Sequence, residues 1–235
     1  MRVSLTEEQQ SMGGKEDNQS NGEIPLCILC GNSRIERYHI EDEGRVYLIC
    51  PSCGLVFLRP DQRPGREEEF SRYQKHRNSP EDRGYREFLE NLIDPLDSML
   101  QPGSRGLDFG SGPVPVLSSM LASRGHKMNI FDPFFADDQS VFEQDYDFIT
   151  AAEVVEHLFN PGAELERLWG CLKEGGYLGV MTEPLPRDKS FGSWYYKNDR
   201  THVAFFSGKT FRWLEAHWKA SREYARGNVL IFKKI

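Results

Sequence analysis

At 235 residues, 38% of them hydrophobic, the chain is long enough for one substantial α/β domain with an appended module. It has no apolar run of membrane-spanning length, and its net charge of −7 argues against a general nucleic-acid binder, whose affinity rests on phosphate neutralisation. From Arg187 onward eleven basic residues stand against four acidic ones; solvated helix faces and a basic tail account for this, and attraction of an anionic substrate is the competing reading.

Residues 1–23 are polar and lack the apolar core of a signal peptide, which predicts a disordered leader and a cytoplasmic location. Next come two CxxC pairs, Cys27-Ile28-Leu29-Cys30 and Cys50-Pro51-Ser52-Cys53, each followed by glycine. A CxxC turn aims two thiolates at one ion, and a glycine after it accepts the positive φ of a tight turn. With short alternating segments such as Arg45–Ile49 between the pairs, residues 24–60 read as a zinc ribbon with Cys27, Cys30, Cys50 and Cys53 as ligands. Cys171 reads as a core residue.

Residues 61–102 read as a linker and N-terminal helices. Glu67 to His76 forms a short charged helix. Tyr85, Phe88, Leu89, Leu92, Ile93, Leu96, Met99 and Leu100 fall at helical spacing, with a break or bend near Asp94-Pro95. Residues 103–235 then alternate strand and helix: strand Gly103 to Phe109, helix Val116 to Arg124 closed by Gly125, strand Lys127 to Phe131, and strand Tyr146 to Thr150. A helix starts at Pro161 and ends at Gly175-Gly176, strand Tyr177 to Met181 follows, and a helix carries Phe211 to Trp218. A hairpin turning at Gly227-Asn228 ends the chain. This order predicts a three-layer α/β fold with a mostly parallel, Rossmann-like sheet and an antiparallel pair at one end.

Leu107-Asp108-Phe109-Gly110-Ser111-Gly112 runs a hydrophobic strand end into a glycine turn, and Asp132 ends the next strand. Two glycines let the backbone turn sharply beside a ligand, and an acid at the neighbouring strand end bonds ribose hydroxyls. Alone, this pattern fits NAD as well as other adenosine cofactors.

The runs Tyr146-Asp147-Phe148-Ile149-Thr150-Ala151-Ala152-Glu153-Val154-Val155-Glu156-His157-Leu158 and Leu172-Lys173-Glu174-Gly175-Gly176-Tyr177-Leu178, in this order after the glycine turn, resemble class I S-adenosylmethionine-dependent methyltransferases. The ribbon joined to them is similar to a group of bacterial methyltransferases. The resemblance implies that Asp108 and Gly110 flank the amino-acid part of the cofactor, that Gly112 allows its close approach, and that Asp132 holds the ribose hydroxyls. It places Pro133 and Phe134 against the adenine, and Ala152 and Glu153 beside the sulfonium. Two departures stand out: Val114 replaces the family's third glycine, and the stretch from Ala136 to Gln144 is short, so the element that usually supplies an acidic contact to the adenine amino group is missing or remodelled, with Asp138 as the candidate for that contact.

Catalytic candidates lie in the aromatic insert Trp194 to Phe206: His202 as a base, with Tyr196 and Asp199 orienting it or the substrate. A histidine that only fixes its loop is the competing reading. Glu156 and His157 read as structural, and Tyr73, His76 and Asn78, ahead of the first long helix, read as an exposed helix terminus, with closure over the methionine end of the cofactor as the competing reading. The reading is a methyltransferase with a structural zinc ribbon, acting on a small-molecule acceptor, without nucleic-acid or membrane partners. An RNA methyltransferase reading through its ribbon and a non-catalytic zinc-dependent binding protein are the alternatives.

Overall fold

The computed structural model describes residues 25–41, 44–75, 79–187 and 190–235. The expected leader, together with His76 and Asn78, lies outside them. Among the described residues no helix is long and apolar enough to cross a membrane.

Strands β1 (Glu36–Ile40), β2 (Val46–Ile49) and β3 (Val56–Leu58) form an antiparallel meander, followed by the exposed helix α1 (Arg66–Tyr73) and the long helix α2 (Arg83–Asp97). Then come β4 (Arg105–Phe109), α3 (Val116–Ser123), β5 (Lys127–Phe131), β6 (Tyr146–Ala152), α4 (Pro161–Gly170) and β7 (Leu172–Met181). The chain ends with β8 (Ala204–Phe205), α5 (Gly208–Trp218), β9 (Ser221–Arg226) and β10 (Val229–Lys233). The main sheet has the order β5-β4-β6-β7-β10-β9; β4 to β7 are parallel, and β10 runs antiparallel to both its neighbours. Its mostly parallel sheet with helices on both faces is the predicted Rossmann-like class.

β5 lies on one side of β4 and β6 on the other, so the crossovers diverge and open a crevice at the carboxyl end of β4. One face of the sheet is covered by α2 and α3, where Leu89, Leu92, Ile93 and Leu96 meet Leu117, Leu121, Phe148 and Ile231. Apolar side chains at helical spacing make that stripe, and it runs through Pro95 because the helix continues unbroken to Asp97. No strand lies between β5 and β6; a single turn of 3-10 helix at Gln139–Glu143, capped by Asp138, occupies the short stretch.

The other face carries α4, α5 and the cysteine module in one continuous core, with Cys27, Cys50, Cys53, Leu55 and Phe57 joined to Leu165, Trp169, Phe206 and Phe211. Two contacts fix the module. At the start of α4 the Gly162 N–H donates to Ile28 O at 3.1 Å, filling one of the bonds a helix leaves open at its first turn. A Cβ at Gly162 would lie 2.5 Å from Leu29 O, so only glycine permits the approach. At the start of α5, Ser207 donates to Gly54 O at 2.9 Å. In addition β8, far along the chain, pairs with β3 and completes the four-stranded sheet β1-β2-β3-β8.

One boundary differs from expectation. Gly175-Gly176 does not end α4, which stops at Gly170; the two glycines lie inside β7. Tyr146 pairs with Leu172 and Phe148 with Tyr177, so β7 holds a bulge of three extra residues there, kinked where Gly175 takes a φ of +77°. The carbonyls of Cys171 and Lys234 capture the Tyr146 and Gly175 N–H groups, and the sheet thereby claims Leu172 to Gly176, which the helical pattern had given to the helix.

Candidate active site

The crevice is walled by the turn after β4. Gly110 (φ +76°) presses on Val154, which a Cβ would approach to 2.4 Å; Gly112 (φ +67°) has open space where its Cβ would stand. The Gly110 and Ser111 N–H groups donate to Phe131 O at 2.8 and 3.1 Å, tying the turn to the end of β5. Ser111 Oγ is buried without a partner. Val114 is exposed, so replacing the family's third glycine brings no side chain into the turn.

Asp108 is buried at the end of β4; Thr150 Oγ1 donates to it at 3.2 Å, and burial pushes its carboxyl up to about 7. Asp132 joins two loops: Oδ2 accepts from Gly112 N–H at 3.0 Å, and Oδ1 from Phe134 and Phe135 N–H at 2.9 and 3.2 Å. Helix α1 lies against the Phe134 loop. Phe70 stacks on Phe134 at 5.9 Å between ring centres, Tyr73 meets it edge-on at 5.4 Å, and the Arg66 guanidinium stands 4.7 Å above it. Arg66 also donates to Pro133 O at 3.1 Å.

At the end of β6, beyond Ala152, Glu153 holds a φ of +54°, a strained value for a residue with a side chain. Its N–H is fixed on Met181 O at 2.8 Å. Tyr196 donates to Glu153 Oε2 at 3.2 Å, while Glu153 Oε1 is buried with no partner. Burial and the neighbouring Glu156 push the Glu153 carboxyl up to about 8. Tyr196 also bonds Glu156, which is fully buried and accepts from Thr182 Oγ1 at 2.9 Å. Burial beside two carboxylates raises the Tyr196 phenol, so it stays a donor.

His202 sits behind this group, with Nδ1 on Tyr196 O at 2.6 Å; burial and then His157 draw it down to about 4. Tyr196 and His202 are therefore brought together with Glu153. Asp199 is directed elsewhere: although burial opposes it, hydrogen bonds from Arg72 and Thr201 hold its carboxyl below the ordinary range. The Arg72 pair at 2.6 Å ties the insert to α1. Reading the sequence gave Glu156 and His157 a structural part and missed Ser111, Arg72 and Thr182. The signal for the first two was the Glu153, Glu156, His157 spacing; Ser111 lies within the glycine-turn motif, and Arg72 and Thr182 carry no signal.

The four cysteines of the N-terminal pairs converge, their Sγ atoms all within 4.8 Å of one another. Cys27–Cys53 and Cys30–Cys50 are each 3.5 Å apart, near the edge of about 3.8 Å that a tetrahedron of Zn–S bonds of about 2.3 Å requires. Gly31 and Gly54 take φ of +69° and +75° and return their N–H to Cys27 O and Cys50 O. The donor set and its turns fit zinc.

Residues 73–217 match the family model described as a methyltransferase domain, more than half of the chain. The chain belongs to this family: it is a class I, S-adenosylmethionine-dependent methyltransferase. Among solved structures, the chain is similar to the Burkholderia thailandensis 1,6-didemethyltoxoflavin-N1-methyltransferase with bound 1,6-didemethyltoxoflavin and S-adenosylhomocysteine. That pair is 13% identical with a TM-score of 0.54, over 85% of this chain and 99% of that one. A SAM-dependent methyltransferase from Archaeoglobus fulgidus is 15% identical with a TM-score of 0.49, over 71% and 99%. No curated protein matches the chain.

Proposed function

We propose that this methyltransferase acts on a small-molecule acceptor in the cytoplasm, and that a zinc ion on Cys27, Cys30, Cys50 and Cys53 serves structure alone. The observation that carries the reading is the crevice beyond β4. Space is open beside Gly112, and Ser111 Oγ in the same turn and Glu153 Oε1 at the end of the neighbouring strand β6 are buried without partners, at a polar cost a bound ligand would offset. In this reading Asp108 and Gly110 adjoin the amino-acid part of the cofactor, Gly112 permits its approach, and Asp132 takes the ribose hydroxyls. Pro133 and Phe134 line the adenine, and Ala152 and Glu153 border the sulfonium.

The bound cofactor supplies an electrophilic methyl group on sulfur. In this reading Glu153 borders the reacting atoms, and its unpartnered Oε1 would be the group to take the proton that an attacking nucleophile releases. Tyr196, His202 and Asp199 are positioning residues: Tyr196 holds Glu153, His202 fixes the Tyr196 backbone, and Asp199 anchors α1. A small acceptor suits the acidic chain, and the toxoflavin-precursor enzyme of the same fold has a small heterocycle bound beside S-adenosylhomocysteine.

Calorimetry with S-adenosylhomocysteine tests the site. Binding at tens of micromolar or tighter, roughly −6 kcal/mol, is expected. Asp132→Ala should weaken it at least about tenfold by freeing the Gly112 and Phe134 N–H groups as well as removing the ribose acid. An unchanged affinity in that variant would show the ribose to be bound elsewhere.

A further inference from the structure

Behind Glu153 lies a group of side chains, Glu156 and His202 buried and His157 half-buried, to which the proposed cofactor site gives no contact. Glu156 sits on the 3-10 turn Val155–His157 after β6, 0% exposed. The rings of His157 and His202 meet 4.6 Å apart at 70°. Their Nδ1 atoms lie on Thr201 O at 3.0 Å and Tyr196 O at 2.6 Å. A carbonyl oxygen only accepts, so each Nδ1 carries the hydrogen and each neutral ring keeps its lone pair on Nε2. A backbone carbonyl behind the distal ring nitrogen is the support that metal-ligating histidines use. One carboxylate oxygen of Glu156 and one nitrogen of each ring lie within 4.8 Å of one another.

Two carboxyl groups in this region have no Lys or Arg partner among the described residues. Glu153 adds a second carboxylate, joined to Glu156 through the Tyr196 hydroxyl. Among the described residues neither forms an ion pair with Lys or Arg; Arg72 is engaged by Asp199 and Lys197 by Glu41. Buried carboxylates are ordinarily paired or coordinate a metal. Two imidazoles and a carboxylate suit zinc or manganese, and three protein ligands leave coordination positions open.

We propose that Glu156, His157 and His202 form a divalent-cation site, distinct from the four cysteines, whose open positions take an oxygen of the methyl acceptor. The cation site stands on its own residues, while the acceptor's role rests on the methyltransferase reading above. An oxygen-bearing acceptor, a phenol or an enol among them, then follows as the substrate class.

The test uses the full chain with its cysteine zinc in place, titrated with Mn2+ and followed by the electron paramagnetic resonance of the free ion. Manganese prefers oxygen and nitrogen donors, so the cysteines do not compete. One bound Mn2+ per chain is expected. His157→Gln and His202→Asn should each weaken it about tenfold or more, while zinc content near one per chain and an unchanged circular dichroism spectrum show that the variants are folded. No binding tighter than about 1 mM, or equal binding by wild type and both folded variants, would overturn the proposal. S-adenosylhomocysteine binding in the same samples separates the two readings. If it binds and Mn2+ does not, only the cation site falls; if Mn2+ binds as expected and the cofactor product does not, the methyltransferase site falls and the acceptor's role with it, while the cation site stands.

Discussion

Gly162→Ala tests how the cysteine module is docked. The new Cβ would stand 2.5 Å from Leu29 O, 3.1 Å from Ile28 O and 3.2 Å from Leu29 C, all backbone atoms, so relief requires moving the turn that carries Cys27 and Cys30. Overpacking of this kind costs about 1–3 kcal/mol. Alanine recovers part of this through helix propensity, which is worth at most about 1 kcal/mol over glycine and less in the first turn. The net expectation is a loss of about 1–2 kcal/mol, or about 2–8 °C in melting temperature for a chain of this size. Gly170→Ala is the matched control. It lies in the last turn of the same helix with nothing within 4 Å of its Cβ position, and it should gain up to about 1 kcal/mol. Thermal unfolding of the zinc-loaded protein by circular dichroism reads both. Equal melting shifts of the same sign would refute the docking argument, since propensity alone would then explain both variants.

Two further outcomes follow. Burial raises the Asp108 carboxyl to about 7; it is therefore neutral at pH 6 and ionised at pH 8, and a cationic cofactor should bind about tenfold more tightly at the higher pH. Calorimetry at the two values should show this in wild type and not in Asp108→Asn, and a flat wild-type profile would detach Asp108 from the cofactor. For the ribbon, purified protein should carry one zinc per chain, and Cys50→Ser, which removes the sulfur 3.5 Å from Cys30, should lower both zinc content and melting temperature. Wild-type protein that melts identically with and without a chelator would remove zinc from the structural account.

Much of this protein is written locally. The spacing of Leu89, Leu92, Ile93 and Leu96 makes α2 amphipathic wherever it packs, Gly227-Asn228 turns the β9–β10 hairpin, and each CxxC-Gly run closes its own turn. These features depend on neighbours a few residues away, and so the fold class, the cysteine convergence and the glycine turn with Asp132 were legible in the residues alone. Tertiary structure decided the rest. The bulge at Gly175 depends on which strand lies beside it, and β8 finds its partner in β3 almost 150 residues earlier. The surroundings of Glu153 depend on an insert folding back to bring Tyr196 and His202 onto the end of β6. Long-range pairing and burial set the partners and the charge of those side chains, and no local pattern encodes either.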